Sequence, residues 1–262
     1  MGRIIAIANQ KGGVGKTTTA INLAASLAAA DQRILLVDLD PQGNLTSGVG
    51  QKGKAAQAGT IYEALTAAQP ATDSKPFVLP TLIDRLELIP ADRNLTGAEI
   101  EMVSLSQREE RLRALIGSMR PSYDYIFVDC PLSLGLLTLN ALVAADSVLI
   151  PLHCEYFALE GLAELVGTMR RVRASLNPGL DIEGVLLTMF DERTNLGQQV
   201  ARDVREFFKE KVFRTVIPRN VRLGEAPSHG MPVLLYDVKS RGAQAYVALA
   251  REVLARTAAT AA

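Results

Sequence analysis

The chain has 262 residues, 48% of them apolar, which is enough for a sizeable buried core in one α/β domain or two small ones. Lysine plus arginine equals aspartate plus glutamate at 28 each, so the formal net charge is zero. That balance excludes a surface made throughout for nucleic acid, and any polyanion must meet a local patch. The two cysteines, Cys130 and Cys154, fit neither a zinc spacing nor a disulfide framework and suit a reducing cytoplasm.

The chain opens with MGRIIAIANQ, one arginine and a short apolar run before a glycine loop, which reads as a first strand rather than a signal peptide. Strands are predicted at 4–8, 34–38, 86–89, 125–129, 147–151 and 184–189. Their Val, Ile and Leu content predicts burial on both faces, as in a parallel sheet. Helices are predicted at 16–30, 107–119, 136–144, 159–175 and 196–211. Segment 51–59, rich in Gly, Ala and Lys without periodicity, reads as a mobile loop, and 70–80 as a second loop. A last helix over 242–256 aligns Tyr246, Leu249, Ala250, Val253 and Leu254 on one face for docking on the core. The tail TAATAA is expected to fray. Strand–helix alternation predicts right-handed βαβ units and a doubly wound, mostly parallel α/β sheet flanked by helices. No repeat or linker divides it, so residues 1–262 read as one domain. No apolar run reaches the ~20 residues that a membrane helix needs.

The strongest chemical signal is Asn9-Gln10-Lys11-Gly12-Gly13-Val14-Gly15-Lys16-Thr17-Thr18, placed between a strand and a helix as a P-loop requires. Gly12, Gly13 and Gly15 let backbone N–H groups approach phosphate oxygens. The N-terminus of the following helix aims its positive end at the same charge. Lys16 would reach the β- and γ-phosphates, and the Thr17 hydroxyl would ligate Mg²⁺. Gln10 stands where the usual pattern has glycine, and Lys11 is an additional cation. This K-G-G-x-G-K-T-T form marks the deviant Walker A group.

On these residues the chain resembles the ParA/Soj-type chromosome- and plasmid-partition ATPases, from KGGVGKTTTAINLA to the final helix. The resemblance implies a homodimer with two ATP molecules held between subunits. In it Lys11 reaches the partner's nucleotide, stabilising charge as an arginine finger does, and Gly12 lies at the interface. The implied nucleotide contacts are Lys11, Gly12, Gly13, Val14, Gly15, Lys16, Thr17 and Thr18.

Two further strands end in carboxylates, at the edge where open α/β sheets bind ligands. In Ile34-Leu35-Leu36-Val37-Asp38-Leu39-Asp40-Pro41 the resemblance assigns Asp40 to the attacking water, and Asp38 is expected to support the Mg²⁺ shell. Tyr125-Ile126-Phe127-Val128-Asp129-Cys130-Pro131 has Walker B form, with Asp129 on Mg²⁺. Leu132 then replaces the family's second proline, while Ser133, Leu134 and Gly135 follow the pattern. Lys11, Lys16 and Asp40 are therefore the expected catalytic residues, and Thr17, Asp38 and Asp129 the expected metal set. Met189, Pro218 and Asn220 resemble the family's adenine contacts, since Pro218 offers an apolar face and Asn220 an amide that can read a base edge. No GTPase-type Asn-Lys-x-Asp tetrad is present, which favours ATP.

From Arg193 to Glu225 eight Lys/Arg stand against four acids, a local +4. On the helix over 196–211, Val200, Val204, Phe207 and Phe208 are expected to form the buried stripe, with Arg202, Arg205 and Lys209 on another face. A solvated helix laced with Glu pairs accounts for that composition by itself. The resemblance implies sequence-independent binding of double-stranded nucleoid DNA by the ATP dimer. Arg193 and Arg222 are the best positional matches, followed by Arg219 and Arg214. It also implies slow hydrolysis stimulated by a ParB-type centromere-binding partner, in a cytoplasmic, nucleoid-associated protein. The alternative is a MinD-like membrane switch for division-site placement, which needs a basic amphipathic C-terminal helix that the sequence lacks. A nitrogenase-iron-protein-like carrier and a non-hydrolysing scaffold are weaker alternatives, because the cysteine spacing fits poorly and Asp40 argues for hydrolysis. The start so near the P-loop leads us to expect no helix-turn-helix and no operator-specific repression.

Overall fold

In the computed structural model, residues 2–155, 158–191 and 193–261 are described. In chain order the strands are β1 (Arg3–Ile7), β2 (Ile34–Asp38), β3 (Leu79–Pro80), β4 (Leu86–Ile89), β5 (Tyr125–Asp129), β6 (Ser147–His153) and β7 (Asp181–Thr188). They form one sheet in the order β3-β4-β2-β5-β1-β6-β7. All pairings are parallel except β3 with β4. The helices are α1 (Lys16–Ala28), α2 (Asn44–Gly48), α3 (Ile61–Thr66), α4 (Leu95–Glu101), α5 (Arg111–Gly117), α6 (Leu136–Ala144), α7 (Ala158–Ser175), α8 (Asn195–Phe208), α9 (Val221–Glu225), α10 (Val233–Tyr236) and α11 (Arg241–Ala261).

Alternation along each strand divides the core into two layers. Ile4, Ala6, Leu35, Val37, Ile126 and Val128 face one side, under apolar residues of α3 to α8. Ile5, Ile7, Ile34, Leu36, Tyr125 and Phe127 face the other, under α1, α2, α10 and α11. β2 and β5 are buried at every residue, as their unbroken apolar runs predict. The expected face of the last helix is buried too: Tyr246, Leu249, Ala250 and Val253 lie in the second layer, with Leu254 packed at its edge.

Several expectations are corrected. The helix predicted over 107–119 is only Arg111–Gly117, because Gln107 takes a φ of 52°, a left-handed value that an α-helix cannot contain. The helix predicted over 196–211 ends at Phe208, and Lys209 turns the chain at a φ of 48°. On it Phe207 is 71% exposed, outside the expected stripe. The buried residues are Gly197, Val200, Ala201 and Val204, and at 3.6 residues per turn Phe207 lies roughly 70° from the centre of that set. The segment 70–80 contains the short edge strand β3, where Pro80 forfeits no ladder bond. The tail does not fray at its start. Thr257 lies in α11, and its hydroxyl accepts hydrogen bonds from Arg3 Nη1 at 2.9 Å and Tyr125 OH at 3.0 Å. Helices α2, α3, α4, α9 and α10 are additional to the predicted set. Of these α3 carried a local signal: Thr60 and Glu63 form a capping box at its start.

Candidate nucleotide-binding site

The loop between β1 and α1 runs into a helix that lacks a side-chain cap. Gly13 and Gly15 sit at φ values of 70° and 85°, left-handed values that explain glycine there. With no cap and no acid in its first turn, the N–H groups of α1 remain available to an anion. Two side chains beyond the predicted set pin the loop. Asn9 donates from Nδ2 to Pro151 O at 2.7 Å and accepts from Lys11 N at 3.0 Å, tying the loop to β6. Thr188 donates to Val14 O at 2.8 Å, tying it to β7.

A cavity of about 790 Å³ opens over this loop. Gly12 to Thr18 line it, together with Asp40, Gln42, Leu132, Met189, Pro218, Asn220 and Tyr246. The predicted phosphate, water-activating and base-contacting residues thus surround one space. Lys16 is nearly buried in it. Lys11 is the exception: its ammonium turns from the cavity to pair with Glu155 Oε2 at 2.6 Å. A Cβ built on Gly12 would meet only Leu132, at 3.8 Å, so packing within this chain does not require glycine there.

Asp38 and Asp129 are direct partners across the β2–β5 ladder and both are fully buried. Asp38 is pinned: Oδ2 accepts from Thr46 N at 2.8 Å and from Thr46 Oγ1 at 2.6 Å, and Oδ1 from Asp40 N at 3.2 Å. Burial nonetheless raises its pKa to about 6, against those donors. Asp129 has no hydrogen-bond partner on either oxygen. Burial, then the adjacent Asp38, push it well above the carboxylate range. Thr17 and Lys16 pull the other way, Thr17 without a hydrogen bond of proper geometry. Two orphaned carboxylate oxygens in a buried position fit a cation. Magnesium, which keeps several waters and takes only one or two carboxylates, suits Asp129 with the Thr17 hydroxyl beside it. Asp38, expected in the magnesium shell, already accepts from Thr46 and from Asp40 N. Asp40 accepts from Gln42 N at 2.9 Å in a turn that leaves it on the cavity wall.

At the base end, Met189 leaves β7 at a φ of 47°, and Ile217 donates to Leu187 O, which holds the strap carrying Pro218 and Asn220 beside it. Asn220 caps α9 by accepting from Arg222 N at 3.0 Å, so its amide donors are what remain for a base edge. Tyr246 OH and Thr19 Oγ1 lie 3.2 Å apart, joining α11 to the phosphate-loop helix. Cys130 and Cys154 are both buried thiols; burial raises the first above the ordinary range and the second to about 11.

The basic stretch after Arg193 does not form one patch. Arg205, Lys209, Lys211 and Arg214 line a cavity with Arg3, Ser147 and Asp181, at the start of the strands. Arg193 and Arg219 lie at the other end, beyond β7, near the nucleotide cavity. Arg193 is clasped by Asp191 through two hydrogen bonds, of 2.8 and 2.7 Å. That clasp holds the Asp191 carboxyl well below the usual carboxylate range. Arg222 pairs with Glu225 at 2.7 Å and Asp237 at 3.3 Å.

Comparison with known proteins agrees with this geometry. An AAA domain family matches residues 2–182. The chain is 57% identical to the chromosome partitioning protein ParA of Myxococcus xanthus over 98% of this chain and 89% of that protein. It is 56% identical to the sporulation initiation inhibitor protein Soj of Bacillus subtilis, over 97% and 99%. Among solved structures, cobyrinic acid a,c-diamide synthase of Mycobacterium smegmatis, with bound ATP analogue and magnesium, superposes with a TM-score of 0.81 at 35% identity, covering 97% of this chain and 95% of that one. With a phosphate loop, two buried carboxylates and a base strap around one cavity, and with identity of this level over nearly the whole length, the chain belongs to the ParA/Soj family of chromosome-partitioning ATPases.

Proposed function

We propose that Mg-ATP closes this chain into a homodimer that binds double-stranded DNA without reading sequence, and that hydrolysis, stimulated by a ParB-type partner, releases it. One observation carries the reading. Of residues 11 to 18, Lys11 alone does not line the chain's own nucleotide cavity, while Gly12 beside it has room for a Cβ that it does not use. A cation held at the rim by a half-exposed carboxylate is available to a second molecule's γ-phosphate. A bare glycine at the same rim permits a second backbone to approach.

The roles of the residues follow from where they stand. The N–H groups of Gly13 to Thr18 and the ammonium of Lys16 hold the triphosphate. Thr17 and Asp129 would hold magnesium, with Asp38 behind them, and a bound ion would supply charge neutralisation for the phosphates. Asp40, which lines the same cavity, orients the water and accepts its proton as oxygen attacks phosphorus. Lys11 donated from the partner stabilises the charge that builds on the leaving oxygens. Pro218 and the Asn220 amide seat the base. In the same reading Arg193, Arg219 and Arg222 contact DNA phosphates.

The membrane alternative loses its element. The apolar face of α11 is consumed by the core, and no described helix is long and apolar enough to cross a bilayer. The test is light scattering and gel-shift measurement on Asp40→Ala with ADP and with ATP. A monomer with ADP and a DNA-binding dimer with ATP are expected, and equal DNA affinity in both nucleotides ends the switch.

A further inference from the structure

Two exposed apolar residues stand at the mouth of the nucleotide cavity, Leu132 beside the phosphate loop and Val221 beyond the base strap. Leu132 is 50% exposed. Phosphate and magnesium are held by hydrogen-bond donors and oxygen ligands, so a leucine holds neither. Its neighbour shows what it can meet. Its two Cδ atoms lie 3.8 and 3.9 Å from where a Cβ on Gly12 would stand, so Leu132 and the exposed Gly12 form one patch of the rim. A second backbone that approaches over Gly12 comes down on Leu132, at the same rim where the second copy's lysine has to enter.

The loop holds this side chain out rather than folding it in. Pro131 is buried on one side of it. On the other, Ser133 O accepts from Thr138 Oγ1 at 2.6 Å, and Leu134 packs against the first core layer. A crest fixed at both ends loses little freedom when it docks, so the gain from burying its apolar surface is offset by little ordering entropy.

We propose that Leu132 is the apolar anchor of the ATP dimer, each copy seating its leucine against the other beside Gly12. This rests on the dimer reading above and adds to it a residue at which this chain departs from the family's proline. A two-fold interface uses each contact twice, so one side chain counts double in assembly. Leu132 also lies on the loop that leaves β5 directly after Asp129, so the segment that carries the metal carboxylate carries the anchor.

The test measures self-association by sedimentation for the full-length parent, Leu132→Ser, Leu132→Met and Leu82→Ser, with magnesium and a non-hydrolysable ATP analogue. The affinity of each for Mg-ADP is measured beside it. Leu82, 68% exposed in the turn before β4 and outside the cavity, controls for the loss of a surface leucine. Leu132→Ser is expected to raise the dimer dissociation constant about tenfold or more, because the exposed half of a leucine is lost from both copies. Leu132→Met, which keeps the apolar volume, stays within about threefold of the parent. Leu82→Ser matches the parent, and Mg-ADP affinity is the same in all four. Parental association in Leu132→Ser overturns the anchor and leaves the dimer intact, as does an equal loss in Leu82→Ser. A Leu132→Ser chain that also loses affinity for Mg-ADP puts the leucine in its own nucleotide pocket and overturns the anchor. A parent that stays monomeric with the analogue at every concentration overturns the dimer and the anchor with it.

Discussion

Asp129→Asn should make the nucleotide-free protein more stable while removing its response to Mg-ATP. Both oxygens of Asp129 are buried without a hydrogen bond, opposite the equally buried Asp38, so the ion-free fold holds a carboxylate pair at a cost. Protonation caps that cost. The penalty cannot exceed about 1.4 kcal/mol for each pH unit between an unfolded carboxylate's pKa of ~3.9 and the working pH, or about 4 kcal/mol at pH 7. The sign follows from linkage. Folded values above the unfolded ones mean that the native state binds more protons, so stability falls as pH rises from about 4; for Asp38 that fall continues through about 6. Removing the Asp129 charge should therefore gain ~1–4 kcal/mol near neutrality, about 2 °C in Tm per kcal/mol for a chain of this size, and almost nothing at pH 4. Thermal melts in EDTA across pH 4–8 measure this. The same melts with Mg-ATP should show a large rise for the parent and little for the variant, because ligand stabilisation follows affinity. A variant less stable than the parent in EDTA at pH 7, or a gain that does not depend on pH, refutes the account of Asp129 as an uncompensated buried charge.

Other outcomes follow from individual contacts. Thr46→Val removes the hydroxyl that donates to Asp38 and accepts from Ala91 N, and should cost ~2–4 kcal/mol in urea unfolding, with Thr46→Ser recovering most of it. Phe207→Ser should change stability by less than about 0.5 kcal/mol, whereas burial in the predicted stripe would make it cost ~3–5 kcal/mol; a chemical melt decides. Lys11→Ala should keep its melting temperature, since the pair with Glu155 is exposed and worth at most ~1 kcal/mol, and should still bind ATP through Lys16. Light scattering should find it monomeric with ATP, and assembly and turnover like the parent's would leave the shared-nucleotide arrangement without support.

Much of the site was legible because its requirements are local. Glycines at 13 and 15 announce positive φ, a lysine and a threonine follow at the start of a helix, and apolar runs ending in Asp38 and Asp129 place carboxylates at strand ends. Each signal spans fewer than about ten residues and depends only on backbone sterics or on burial of both strand faces. The short helices α2, α4, α9 and α10 escaped because at 4 to 7 residues they are too short for a periodic stripe to stand out.

The sequence by itself determined the fold class, the phosphate loop, the carboxylates and the docking face of the last helix. Only the tertiary structure decided that Asp38 faces Asp129 across a ladder and is held by Thr46, and that Lys11 rests on Glu155. It also split the basic stretch between two ends of the molecule and brought Arg241 beside Arg193 and Arg219. The reason is physical. Strand register and helix packing set which distant side chains meet, and they answer to the whole core, whereas charge counted along a chain carries no record of the face on which each residue will lie.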